Sequence, residues 1–179
     1  MIEQRVYTPT NYIEKTVVHS VIFLAGPIQG AVDWQSTAIE LIKKENPHII
    51  VANPRRRYLD GEFDYEAQVD WETFHLRRAG ENGVIMFWLP KETDHDHNRA
   101  YAQTSRVELG EWKVRHERDG VDLVIGIEKG FSGERYIRRR FSQDCPGISI
   151  PDTLEQTCLA TVSILDRNII NNPLPKKKT

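Results

Sequence analysis

Val17-Val18-His19-Ser20-Val21-Ile22-Phe23-Leu24-Ala25-Gly26-Pro27-Ile28-Gln29-Gly30 is the stretch whose reading decides the fold. Residues 17–25 are rich in β-branched and other apolar side chains, which suit a pleated strand, and the run stops at a turn built from Gly26, Pro27 and Gly30. Asp33 then stands where a carboxylate can cap a helix over residues 34–45, with Ile39 and Ile42 among its apolar positions. Strand, glycine turn and helix make one βα unit.

The same grammar continues outward. A short apolar strand over 49–52 is broken by Asn53-Pro54, and residues 63–79 carry helical spacing through Val69, Phe74 and Leu76. Residues 84–89 are apolar without alternation, as expected of a strand buried on both faces. A polar stretch over 90–103 is long enough for a functional loop. A helix over 104–118, a strand over 123–127, a short helix over 136–141, a possible fifth strand at Ile148-Ser149-Ile150 and a last helix over 153–164 complete the series.

Alternating strands and helices predict an α/β domain: a Rossmann-like (flavodoxin-like) three-layer sandwich with a mainly parallel sheet of about five strands. Residues 1–16 read as an extended arm, 17–168 as the domain and 169–179, which include Lys176-Lys177-Lys178, as a disordered basic tail. In such sheets ligands bind beyond the carboxyl ends of the strands. The loops after Ala25, Ala52 and Leu89 are therefore expected to share one cleft with the start of the helix at Thr104.

Composition narrows the function. At 179 residues, 39% hydrophobic and 28% charged, the chain has the makeup of one globular domain. It has no apolar run of the roughly 20 residues that span a bilayer. Met1-Ile2-Glu3-Gln4-Arg5 lacks the charged-then-apolar order of a secretory signal, so a cytosolic location is expected. A net charge of -2 argues against nucleic acid as a partner despite Arg55-Arg56-Arg57 and Arg138-Arg139-Arg140. Cys145 and Cys158 have no metal-binding spacing and read as reduced packing residues, and Asp94-His95-Asp96-His97 points its side chains in differing directions. No metal and no cofactor are expected.

The candidate chemical centre is Glu108 in Thr104-Ser105-Arg106-Val107-Glu108-Leu109-Gly110. Two readings compete. Ser105-x-x-Glu108 matches a capping box, in which the glutamate returns to its own helix terminus. Gly110, a poor helix former, instead suggests a ligand approaching the glutamate, whose carboxylate could attack an anomeric carbon and form a covalent glycosyl-enzyme. The helix terminus favours the ionised carboxylate and burial opposes it. On the second helix, Gln68 and Glu72 share a face, Asp70 adds a second carboxylate, and Tyr65 or Trp71 could stack on a base. Arg55 and Arg106 are candidates for an anion, and Trp88 ends a strand where packing is the ordinary role.

Phe23-Leu24-Ala25-Gly26-Pro27-Ile28, Asn53-Pro54-Arg55, Gln68-Val69-Asp70-Trp71-Glu72, Phe87-Trp88-Leu89-Pro90 and the Glu108 block, taken in order, resemble the nucleoside 2-deoxyribosyltransferase-like family. The resemblance implies a Rossmann-like fold, no metal or cofactor, and cleavage or exchange at the N-glycosidic bond of a nucleoside or nucleotide. Its small-molecule partners would be that substrate and a free nucleobase. It also implies that Glu108 is the nucleophile, with Glu72 and Asp70 as the acids near base and sugar. The other matching positions, Phe23, Gly26, Pro27, Ile28, Asn53, Arg55, Gln68, Trp71, Trp88, Ser105 and Arg106, become candidates for substrate binding. Relatives complete their sites with a neighbouring subunit, so a homo-oligomer is expected. The pattern departs at Ala102, six residues before Glu108, where better-known transferases carry an aspartate, and at Phe23, where they commonly offer tyrosine.

Overall fold

The computed structural model describes residues 5–14, 16–17, 19–56 and 64–171. Five parallel strands run in the order β1-β3-β2-β4-β5. They are β1 (Val6–Tyr7), β2 (Val21–Ala25), β3 (Ile50–Ala52), β4 (Gly83–Leu89) and β5 (Leu123–Ile127). Five helices connect or flank them: α1 (Trp34–Glu45), α2 (Tyr65–Glu81), α3 (Gln103–Asp119), α4 (Glu134–Asp144) and α5 (Leu154–Asn171).

Alternation along the strands builds two cores. Val21, Phe23, Ala25, Ile85, Phe87 and Leu89 face one side, with Trp71 of α2, Leu109 and Trp112 of α3, and Ile137 and Phe141 of α4. Ile22, Leu24, Val84, Met86 and Trp88 face the other, with Trp34, Ala38 and Ile42 of α1 and Cys158, Val162 and Leu165 of α5. Both faces of the sheet are thus covered, which is why its central strands carry continuous apolar runs. This is the expected three-layer sandwich.

The fifth strand is not where the sequence suggested. Ile148-Ser149-Ile150 stays out of the sheet: Ile148 and Ile150 pack on the α2/α3 core, and the Ile150 carbonyl accepts from Arg138 Nη1 at 2.8 Å. Beside it, Pro151 O accepts the Ile127 amide at 2.9 Å and covers the β5 edge. The extra strand comes from the N-terminal arm, where Val6 and Tyr7 lie in register with Val51 and Ala52.

Boundaries also moved. The strand predicted from residue 17 begins at Val21, and α4 and α5 extend beyond the predicted 136–141 and 153–164. The helix predicted from residue 63 begins at Tyr65, capped by Asp64 Oδ1 accepting the Ala67 amide at 2.9 Å. Arg57 and the Pro173–Thr179 tail lie outside the described residues.

From β2 the chain turns to β3 on one side, then returns past β2 to β4 on the other. This reversal opens a crevice at the carboxyl ends of β2 and β4. Its floor is tight: at Gly26 (φ +144°) a Cβ would stand 2.2 Å from the Trp88 carbonyl oxygen.

Candidate active site

Three loops meet at this end of the sheet. Arg55, just after β3, donates from Nη2 to the Ile28 and Val32 carbonyls at 3.2 Å, from Nε to Gln35 Oε1 at 2.9 Å, and pairs with Asp33 Oδ1 at 3.1 Å. The Thr93 amide, in the loop after β4, donates to Gly30 O at 2.8 Å. The loops after Ala25, Ala52 and Leu89 are therefore stitched into one rim, as the fold rule requires.

Helices α2 and α3 cover the same face and begin at the same end. Gly80 lets them approach, since a Cβ there would lie 2.7 Å from the Trp112 ring. Nearer their starts, α2 offers Glu72 and α3 offers Glu108, both half-buried. Burial is the main cause lifting Glu108 to about 8, followed by the nearby charges of Glu72 and Glu111. Glu72 is also raised, by burial first, while the Gln68 amide and the Arg56 charge pull it back.

The capping-box alternative for Glu108 does not hold. α3 starts at Gln103 with Ala102 as its N-cap, in a left-handed conformation (φ 56°) without a side-chain cap. Ser105 is already inside the helix and buried, and Glu108 lies beyond the first turn. Among the described residues no hydrogen-bond donor reaches the Glu108 carboxylate. A half-buried carboxyl with a raised pKa and no structural partner is the kind of group that chemistry uses.

Around the pair, Gln68 accepts Arg56 Nε on Oε1 at 2.6 Å and donates from Nε2 to Glu72 Oε1 at 2.6 Å and to Pro54 O at 3.0 Å. Asn53 Oδ1 accepts the Arg55 amide at 3.0 Å. Pro27 O accepts the Trp34 indole at 2.9 Å, and the Ile28 carbonyl is held by Arg55.

Several candidates are spent elsewhere. Asp70 lies on the opposite side of α2, exposed in a groove of about 700 Å3 with Tyr12, Phe74 and Arg77, and does not join the pair. Trp71 is wholly buried, stacks 4.0 Å from His75 and donates its indole N–H to Asn11 O at 2.8 Å, so neither ring face is open to a base. Phe23 is buried 6.2 Å from the Trp71 ring. Trp88 faces the α1/α5 core. Arg106 lies 4.6 Å over the Phe131 ring and donates to Ser132 O at 2.7 Å, latching the loop before α4 instead of facing the cleft.

Two residues missed in the sequence shape the neighbourhood. His75 is buried: its Nε2 accepts the Ile13 amide at 3.3 Å and its Nδ1 meets Trp71 O at 2.8 Å, a pattern that fixes the Nδ1–H tautomer. Tyr101 donates to Pro90 O at 2.8 Å, closing the loop before α3. A histidine four residues from Trp71 was the available signal for the first; nothing local marks the second. His95 and His97, by contrast, are exposed, and His95 pairs with Glu92 at 3.0 Å. Among the described residues no group of three or more His, Cys, Asp or Glu side chains could hold a metal ion, and no helix is long and apolar enough to cross a membrane.

A family model described as nucleoside 2-deoxyribosyltransferase like matches residues 19–130. The chain belongs to that family. The matched stretch runs from just before β2 to just after β5, so it contains the crevice, both glutamates and the Gln68 network. Membership in the nucleoside 2-deoxyribosyltransferase-like family implies a nucleoside as the substrate class. No curated protein matches the chain.

Proposed function

We propose that this protein cleaves the N-glycosidic bond of a (deoxy)nucleoside through a covalent glycosyl-glutamate on Glu108 and transfers the sugar to another nucleobase. The observation that carries the reading is the electrostatic coupling of Glu108 to Glu72, two half-buried carboxyls whose pKa values are each raised by burial first. With Glu108 lifted to about 8, the pair keeps a proton at neutral pH. One proton is what the reaction needs.

In the first step the pair's proton passes from Glu108 to Glu72, the ionised Glu108 oxygen bonds to C1′ while the C1′–N bond breaks, and Glu72 delivers the proton to the departing base. In the second step the ring nitrogen of an incoming base bonds to C1′, the ester to Glu108 breaks, and Glu72 takes up the acceptor's proton. Two inversions retain the configuration at C1′. Arg55 is engaged by the Ile28 and Val32 carbonyls, Gln35 and Asp33, and Arg106 by the Tyr101 and Ser132 carbonyls, which favours a nucleoside over its 5′-monophosphate.

The test is incubation with deoxyribonucleosides, ribonucleosides and their 5′-monophosphates, with and without a second free base, followed by chromatography. Base exchange that disappears in Glu108→Ala is the expected result. Free sugar in place of a new nucleoside would make the protein a hydrolase using the same glutamate. Binding without turnover in the wild type would make it a nucleotide-sensing module, and turnover that survives in a folded Glu108→Ala would remove the nucleophile.

A further inference from the structure

Gln68 stands at the centre of a chain of polar contacts that ends on the acid pair. Its side chain is 8% exposed, and both of its amide donors are committed to the protein. The carbonyl oxygen takes Arg56 Nε at 2.6 Å, and the two amide hydrogens go to Pro54 O at 3.0 Å and Glu72 Oε1 at 2.6 Å. An amide has two donors, so none is left to donate to a base or a sugar hydroxyl. Its orientation is also fixed from both ends: turning it over would set its NH2 against the Arg56 guanidinium and its oxygen against the Pro54 carbonyl and the Glu72 carboxyl.

We propose that Gln68 is a positioning residue that fixes Glu72 against Glu108 and relays the charge of Arg56 to that carboxyl. The inference rests on the reading of Glu72 and Glu108 as the reacting pair. The charged groups that act on the pair are Arg56 from the loop after β3, Glu72 from α2 and Glu111 from α3. Of these only Arg56 is a cation, and it reaches Glu72 through the Gln68 amide as well as through space. Gln68 thereby opposes the burial that raises the Glu72 pKa.

The test reads the carboxyls directly, in the ligand-free full-length protein labelled with 13C at the glutamate side-chain carboxyl. Chemical shifts are followed against pH, with Glu72 and Glu108 assigned through Glu72→Gln and Glu108→Gln. In Gln68→Leu the Glu72 titration should move up by about one pH unit, the equivalent of one hydrogen bond, and the acidic limb of the pH–rate profile should move with it. Arg56→Met, which leaves the amide free to turn, should move it in the same direction by less. Gln68→Glu keeps the contact to Arg56 and replaces the donor toward Glu72 by an acceptor, so it gives the same upward shift should the leucine variant not fold. Lower activity or stability with an unmoved Glu72 titration would mean that Gln68 only packs, and would overturn the proposal. A moved titration in a protein whose wild type cleaves no nucleoside would instead overturn the glycosidic reading and leave the relay in place.

Discussion

Burial of Glu108 on α3 and, after it, the charge of Glu72 on α2 raise the Glu108 pKa. This shift carries a stability signature that needs no substrate. A glutamate held at about 8 in the fold and near 4.5 in the unfolded chain binds its proton more tightly in the fold. Its stabilising contribution is complete below about pH 4.5 and is lost as the pH rises to about 8, at roughly 1.4 kcal/mol per pKa unit. Glu108→Gln should remove that slope: thermal midpoints of variant and wild type should separate progressively between those limits, the glutamine form being the more stable at pH 8.5. Parallel curves across the range would mean that Glu108 is not perturbed.

Removing the partner gives the converse. In Glu72→Gln a cause of the raised Glu108 pKa is gone, so Glu108 should titrate at lower pH and be more fully ionised at neutrality. The nucleophile improves while the acid disappears. Cleavage of an ordinary nucleoside should fall by about 10²–10⁴, whereas a nucleoside whose base leaves as a neutral molecule, such as an N7-methylated purine, should lose far less. Equal losses on both substrates, measured by steady-state kinetics, would remove Glu72 from the role of general acid.

His75 clasps the N-terminal arm to α2 beside the site, with Ile13 N–H on Nε2 and Trp71, four residues earlier, holding Asn11. Burial lowers its pKa to about 4. The unfolded chain therefore binds the histidine proton first, and stability falls as the pH drops from about 6.5 to about 4, being flat above. The protection factor of the Ile13 amide, corrected for intrinsic exchange, should fall over that window, and His75→Gln should weaken the pH dependence. An Ile13 amide equally protected at pH 4.5 and pH 7.5 would show that the clasp does not depend on the neutral ring.

Much of this fold was legible because its signals are local. The apolar runs ending at Ala25 and Leu89 read as strands, the second as one buried on both faces, and Asp33 caps α1 through the Ser36 amide as its position suggested. β1 could not be read, because two residues held by β3 have no periodicity of their own. Ile148-Ser149-Ile150 misled for the opposite reason: its alternating isoleucines satisfy a core without entering the sheet. At the site, the i, i+4 spacing of Gln68 and Glu72 was visible and their contact is real. Arg55, Arg106 and Trp71 looked equally available, and only tertiary structure reveals the backbone carbonyls that occupy them. Side-chain type advertises what a residue can bind; the fold decides whether that capacity is already used.

Gly26 and Gly110 make that distinction measurable, because the sequence suggested a ligand-related role for both. At Gly26 a Cβ would meet the Trp88 carbonyl oxygen at 2.2 Å, in a backbone conformation (φ +144°) that other residues rarely adopt. The obstacle is backbone, so no rotamer relieves it. Gly26→Ala should cost roughly 2–4 kcal/mol in denaturant unfolding and disturb the turn that borders the crevice. At Gly110 nothing lies within 4 Å of the added carbon, and the residue is exposed inside a helix. Gly110→Ala should therefore stabilise by about 0.5–1 kcal/mol with turnover unchanged. If that substitution abolishes turnover in a folded protein, the space beside Gly110 belongs to a substrate or to a second chain, and the ligand-access reading of this glycine returns.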